Sequence, residues 1–158
     1  MWDPRTTPPS SLSDYLESMA RAIFVSGMSW SVIDKKWDGI TAAFDRFDAE
    51  KVAAYTPVDI ERLMADPSVI HNRKKIDAII GNAGELIVTE REFGSMEAYL
   101  DSFVDNDALI ADLHKRFAFL GESVAHFFLF GISYHLPEQE KWAKARFGVT
   151  HAERAHHH

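Results

Sequence analysis

Cysteine is absent from all 158 residues, which excludes disulfide staples, thiolate metal sites and a cysteine nucleophile together. Cations are the minority charge: 17 Lys and Arg against 24 Asp and Glu leave a net charge of -7. That balance disfavours a protein that coats a polyanion by bulk charge, while leaving room for a local basic face. No apolar run reaches the roughly 18 residues of a membrane helix, so no membrane contact is expected. No stretch alternates strictly between apolar and polar side chains as a half-buried strand does. The first residues lack a charged segment followed by an apolar core, so neither a secretory signal nor a transit peptide is predicted, and the cytoplasm is the expected compartment.

What is present reads as one all-α domain. The length suits a single core without metal or disulfide support, and 46% hydrophobic with 26% charged residues is ordinary for a globular chain. Three parts are expected: an extended arm over 1–11, a helical domain over 12–150 and a tail over 151–158. The terminal His156-His157-His158 resembles a truncated affinity tag. A monomer is expected.

Helical spacing of Leu12, Tyr15, Leu16, Met19, Ala20 and Ile23 predicts a first helix, capped by Ser10 or Ser11, that Gly27 ends near Ser26. Met28 and Trp30 follow on a short polar turn. Ser29 caps a second helix carrying Ile33, Trp37, Ile40, Phe44 and Phe47, which Gly39 is expected to break or bend. Asp48 opens a short helix. Thr56-Pro57-Val58-Asp59 then supplies a capping hydroxyl, a proline at the first helical position and an acid three residues past the cap. The helix it starts stops at Asp66-Pro67, and the tight connection 66–70 leads into a longer helix with Ile76, Ile79, Ile80, Ala83 and Leu86 on one face. So short a loop predicts a helical hairpin. Further helices are expected after Gly94-Ser95, after Asp105 or Asn106, through the apolar run 124–130, and around Pro137.

Three features carry chemistry. His71-Asn72-Arg73-Lys74-Lys75 opens the hairpin's second helix, where unpaired N–H groups and the helix dipole favour an anion, so it is either a phosphate site or a solvated run of charge. Trp30 packs into the core or offers a flat face for stacking a base. His71, His114, His126, His135 and His151 show no metal-ligand spacing, so no metal and no cofactor is predicted. Ser26, Ser29 and Ser31 read as caps, not nucleophiles.

Gly27-Met28-Ser29-Trp30, followed in order by Phe47-Asp48, Val52-Ala53, Asp59, Arg62-Leu63, Ile70, Asn72-Arg73, Lys75-Ile76, Asn82-Ala83, Gly94-Ser95, Tyr99-Leu100, Phe103-Val104, Lys115-Arg116-Phe117, Phe119 and Gly121, resembles the bacterial DNA-3-methyladenine glycosylase I family of helix-hairpin-helix base-excision repair enzymes. The resemblance spans roughly Tyr15 to His135. It implies double-stranded DNA with an alkylated base as partner, Trp30 as the stacking platform, Met28 with Gly27 as the wedge that fills the vacated space, and Ser68, His71, Asn72, Arg73 and Lys75 at phosphate. N3-methyladenine is cationic in DNA, so holding the base and stabilising the developing sugar cation suffices, with water as nucleophile.

The chain departs from the family at its most chemical positions. The family's pocket glutamate falls on Ala22, so no catalytic residue is assigned; a charge-assisted hydrogen bond of that kind is worth about 2–3 kcal/mol. The N-terminal zinc ligands are absent, and the C-terminal pair falls near His135 and Gln139. The hairpin's usual Gly falls on Ser68 and an Arg on His71. Three readings follow: a zinc-less glycosylase for an alkylated purine, a catalytically degenerate DNA-binding or damage-recognition module, and a helical domain that keeps the family core for stability alone.

Overall fold

The computed structural model describes residues 9–134, and among them the chain forms eight α-helices, one 3₁₀ turn and no strand. In order these are α1 (Leu12–Val25), α2 (Trp30–Ala43), the turn Asp45–Phe47, α3 (Ala49–Ala53), α4 (Pro57–Ala65), α5 (Arg73–Phe93), α6 (Met96–Asp101), α7 (Asn106–Arg116) and α8 (Glu122–Gly131). The fold is all-α. The first residues of the arm, the helix expected around Pro137, His135, Gln139, His151 and the tail lie outside the described residues.

The long α5 is the axis, touching α1, α3, α4 and α6, while α1 is packed between α5 and α8. Ile76, Ile79, Ala83 and Leu86 recur along one stripe of α5 and are fully buried, against Leu16, Met19, Ile23 and Phe24 of α1 in one continuous core. The run 125–130 of α8 is buried on every side, which explains why every residue in it except His126 is apolar. Most predicted caps are made. Asp48, Ser95 and Asp105 accept N–H bonds from Lys51, Ala98 and Ala108 at 3.2, 3.0 and 2.8 Å, and Asp59 reaches back to the N–H of Thr56 at 2.9 Å.

Two expectations fail for identifiable reasons. Gly39 does not break α2, which runs without interruption from Trp30 to Ala43. Glycine is needed there for close approach, since a Cβ at position 39 would lie 2.7 Å from Cβ of Ser68 in the hairpin connection. Lys36 strengthens the same contact by donating to the carbonyl of Pro67 at 3.0 Å. Nor does the second helix extend to Phe47. Asp45, Arg46 and Phe47 take φ values of 53, 56 and 57°, a left-handed run that costs about 1–2 kcal/mol per residue. Aromatic packing holds it, with Phe47 stacked on both Trp37 and Phe44 at 5.4 Å, and Arg62 of α4 donates to the carbonyl of Ala43 at 2.9 Å. Periodicity alone placed Phe44 and Phe47 on a helix because a compact left-handed turn presents them to the same core.

Gly39→Ala should cost about 1–3 kcal/mol through overpacking, despite alanine's better helix propensity. In a Ser68→Gly background the same change should be neutral or stabilising. Urea denaturation of the four chains decides it: equal destabilisation in both backgrounds would show that the approach of α2 to residue 68 is not what requires glycine.

Candidate nucleic-acid interface

α1 terminates where Gly27 enters the left-handed region at φ 76°, a conformation that costs glycine little. The N–H of Met28 donates to the carbonyl of Val25 at 2.8 Å, closing the turn and leaving Met28 37% exposed at its tip. Ser29 stands at the N-cap of α2, but its hydroxyl pairs with that of Ser31 at 3.0 Å instead of with a helix N–H. Arg21 ties the two helices together beneath the turn: its guanidinium meets Asp34 at 2.7 Å and lies 4.7 Å from the centre of the Trp37 ring.

The turn is also gripped from α5. Lys75 is buried, and its Nζ donates to the carbonyls of Ser26 at 2.6 Å and Phe24 at 3.2 Å. A cation suits the end of a helix, where carbonyls are left without partners and the dipole is negative, although burial pulls the lysine pKa below its ordinary value. The sequence reading sets Lys75 at phosphate, whereas in this structure its ammonium is turned inward onto these two carbonyls. Lys75 shares the buried face of α5 with Ile76 and Ile79, whereas Arg73 and Lys74 point to solvent.

Beside the turn lies an open cleft of about 280 Å³. Ala22, Val25 and Ser26 contribute from α1, Gly27 and Met28 from the turn, and Ser123, Val124 and Phe127 from α8. Three positions singled out in the sequence, Ala22, Gly27 and Met28, thus converge on one cavity. Trp30 does not line it with them. Its half-buried ring sits against the Phe127 ring, with centroids 5.1 Å apart and planes inclined by 40°, and Phe127, itself only 3% exposed, is the aromatic residue at the cleft. No local signal marks Phe127, because it falls within a run, apolar except for His126, in which no face stands out.

The hairpin connection is longer than expected. Residues 66–72 link α4 to α5, and Asn72 is the N-cap, its Oδ1 accepting from the N–H of Lys75 at 3.1 Å. Ser68 is tied to Asp66, whose Oδ1 accepts its hydroxyl at 2.6 Å and its N–H at 2.9 Å. Those bonds hold the Asp66 carboxyl below the usual carboxylate range, which keeps a negative charge in the connection. His71 contacts the carbonyl of Asp66 through its ring nitrogen. Arg73 is exposed and pairs with Glu61 at 2.9 Å, so phosphate would have to displace an acid there. Lys74 and Arg73 are left facing outward at the N-terminus of α5. On the far side, Arg116 answers the acidic surface, meeting Asp112, Glu92 and Glu85 at 3.1, 3.4 and 3.5 Å. A second hollow of about 570 Å³ between α7 and α8 is lined by His114, His126, Asp107 and Glu122 among others. No group of three or more potential ligands among the described residues is arranged to hold a metal ion.

The fold and the cleft define an all-α domain with a ring-sized pocket under an apolar turn tip. Residues 8–129 match the family model described as methyladenine glycosylase, and the chain belongs to that family. It is 34% identical over 125 residues to DNA-3-methyladenine glycosylase 1 of Escherichia coli, covering 66% of this chain and 67% of that protein. It is 28% identical over 125 residues to the Haemophilus influenzae DNA-3-methyladenine glycosylase, covering 66% and 68%. Among solved structures, 3-methyladenine DNA glycosylase I from Staphylococcus aureus superposes with a TM-score of 0.71 at 30% identity, over 81% of this chain and 79% of that one. A variant of 3-methyladenine DNA glycosylase I in complex with 3-methyladenine gives 0.70 at 29% identity, with 84% of each chain covered.

Lys75→Met should cost about 1–3 kcal/mol by leaving the carbonyls of Phe24 and Ser26 short of a donor, and it should loosen the turn selectively. Native-state hydrogen exchange tests this. Faster exchange of the Met28 N–H than of the α5 core is expected, and uniform acceleration would mean that Lys75 only supports global stability.

Proposed function

We propose that the protein is a DNA glycosylase that hydrolyses the N-glycosidic bond of an alkylated purine such as 3-methyladenine, acting as a monomer on double-stranded DNA in the cytoplasm. The observation that carries this is the convergence of Ala22, Gly27 and Met28 on one cleft in a chain of this family. At about 280 Å³ the cleft lies at the small end of ligand pockets, which run to roughly 300–1,000 Å³, and suits one extruded base.

Met28 is the side chain placed to fill the gap in the stack when a nucleotide swings out, because it is large, flexible and half in solvent at the turn tip. The extruded base enters between α1 and α8. N3-alkylation gives the base a positive charge in DNA, so it departs neutral and needs no proton from the protein. The cleft contributes by holding the base while positive charge passes to the sugar and water attacks C1′. Arg73 and Lys74, at the N-terminus of α5, meet the phosphates beside the lesion, with Asn72 holding that helix end in place and His71 at its edge.

A second reading, a damage-recognition module without catalysis, is favoured by one observation: Ala22 puts a methyl group where the resemblance calls for a carboxylate. Single-turnover incubation with DNA containing N3-methyladenine separates the two. Base release is expected at high enzyme excess, and none at all would leave only the binding module. Ala22→Glu should raise the release rate about ten- to a hundredfold, the equivalent of one charge-assisted hydrogen bond. An unchanged or lower rate would show that position 22 does not face the base.

Binding to undamaged duplex should weaken steeply with added salt, and Arg73→Ala should reduce the slope of log K against log salt by about 1. A flat salt response would remove DNA as the partner.

A further inference from the structure

We infer that Lys36 is a positioning residue that ties α2 to the connection between α4 and α5, so that the phosphate-facing start of α5 and the Met28 turn behave as one body and DNA held at Arg73 and Lys74 meets a wedge already in place. This rests on the glycosylase reading proposed above and goes further by giving a role to a residue outside the cleft and outside the helix end that meets phosphate.

The chain leaves the Met28 turn in two directions, and each is tied back to the same region. On the α1 side, Nζ of Lys75 donates to the carbonyls of Ser26 at 2.6 Å and Phe24 at 3.2 Å. On the α2 side, Nζ of Lys36 donates to the carbonyl of Pro67 at 3.0 Å, and Gly39 lies so close to Ser68 that a Cβ there would come within 2.7 Å of it. The far end of α2 is held by Arg62 of α4, which donates to the carbonyl of Ala43 at 2.9 Å. Positions 36, 39 and 43 are spaced by three and four, so these contacts run along one side of α2, while Ile33, Trp37 and Ile40 on the neighbouring side enter the core.

The result is a closed ring: the turn, α2, the connection 66–72, the first turn of α5, and back to the turn through Lys75. An irregular connection ordinarily opens at little cost to the rest of a fold. The internal bonds of this one are local, Asp66 accepting the N–H and hydroxyl of Ser68 and Ile70 accepting the N–H of Asn72 at 2.9 Å. Among the described residues, the hydrogen bond that joins it to α2 is the one from Lys36. Extrusion of a nucleotide requires the wedge to advance into the stack while the strand is held by its phosphates. The two actions reinforce each other only where holder and wedge do not yield relative to one another, because a slack ring loses binding energy to ordering the turn.

Lys36→Met keeps the hydrocarbon stem and removes the donor, and duplex carrying 2-aminopurine next to N3-methyladenine reports extrusion as a rise in fluorescence. The variant should slow both extrusion and single-turnover base release by about tenfold while leaving the slope of log K against log salt unchanged. Lys36→Arg, which can still donate to the Pro67 carbonyl, should recover most of both rates. A slope lowered by about 1 would make Lys36 a phosphate contact in its own right and overturns the inference, as does extrusion by Lys36→Met at the wild-type rate. Hydrogen exchange on the free protein reads the ring without DNA. Lys36→Met should speed exchange of the Met28 and Val69 N–H groups together, beyond any change in the α5 core, and acceleration at Val69 with Met28 unmoved refutes the coupling. If the wild-type chain neither extrudes nor releases a base, the glycosylase reading fails and the exchange result alone decides the coupling.

Discussion

The contact on which the cleft depends is the buried ammonium of Lys75 against the last carbonyls of α1. α5 is the core's axis and α1 packs along it, so a lysine on the first turn of α5 joins the core to an exposed apolar turn tip. The geometry solves two problems at once. Helix ends leave carbonyls without donors, and an ammonium in the interior needs acceptors; at 2.6 and 3.2 Å each satisfies the other. Met28 can be half in solvent without the turn being loose.

Much of the fold was legible because local chemistry and tertiary packing agree. The Thr56-Pro57 start, the caps at Asp48, Ser95 and Asp105, and the apolar stripe of α5 are short-range signals that the structure uses as read. Gly39 misled because its backbone answers to a distant partner, Ser68, which no local window contains. The turn at 45–47 misled because its stack on Trp37 satisfies helical spacing as well as a helix would.

The candidate site divides along the same line. Ala22, Gly27 and Met28 lie within seven residues of each other and were found together. Phe127 comes from the other side of the chain, inside a run that is apolar except for His126, and Lys75 is grouped with Arg73 and Lys74 because composition cannot tell which of three adjacent basic residues turns inward. On α5 the division is set by helical phase: position 75 falls on the stripe of Ile79 and Leu86 while 73 and 74 do not. The match to the methyladenine glycosylase family supplies the context in which these positions acquire meaning, and the geometry then redistributes the roles among them.

The approach of Gly39 to Ser68 makes α2 a spacer of fixed length. One end of this helix carries Trp30, behind the cleft wall; nine residues on, roughly 14 Å along the axis, its backbone rests against the connection between α4 and α5. Adding or removing a residue between those points would turn the helix by about 100°, presenting a side chain to Ser68 and rotating Trp30 away from Phe127 in the same event. The stretch from 30 to 39 should therefore drift freely in the identity of its outward residues and hardly at all in their number.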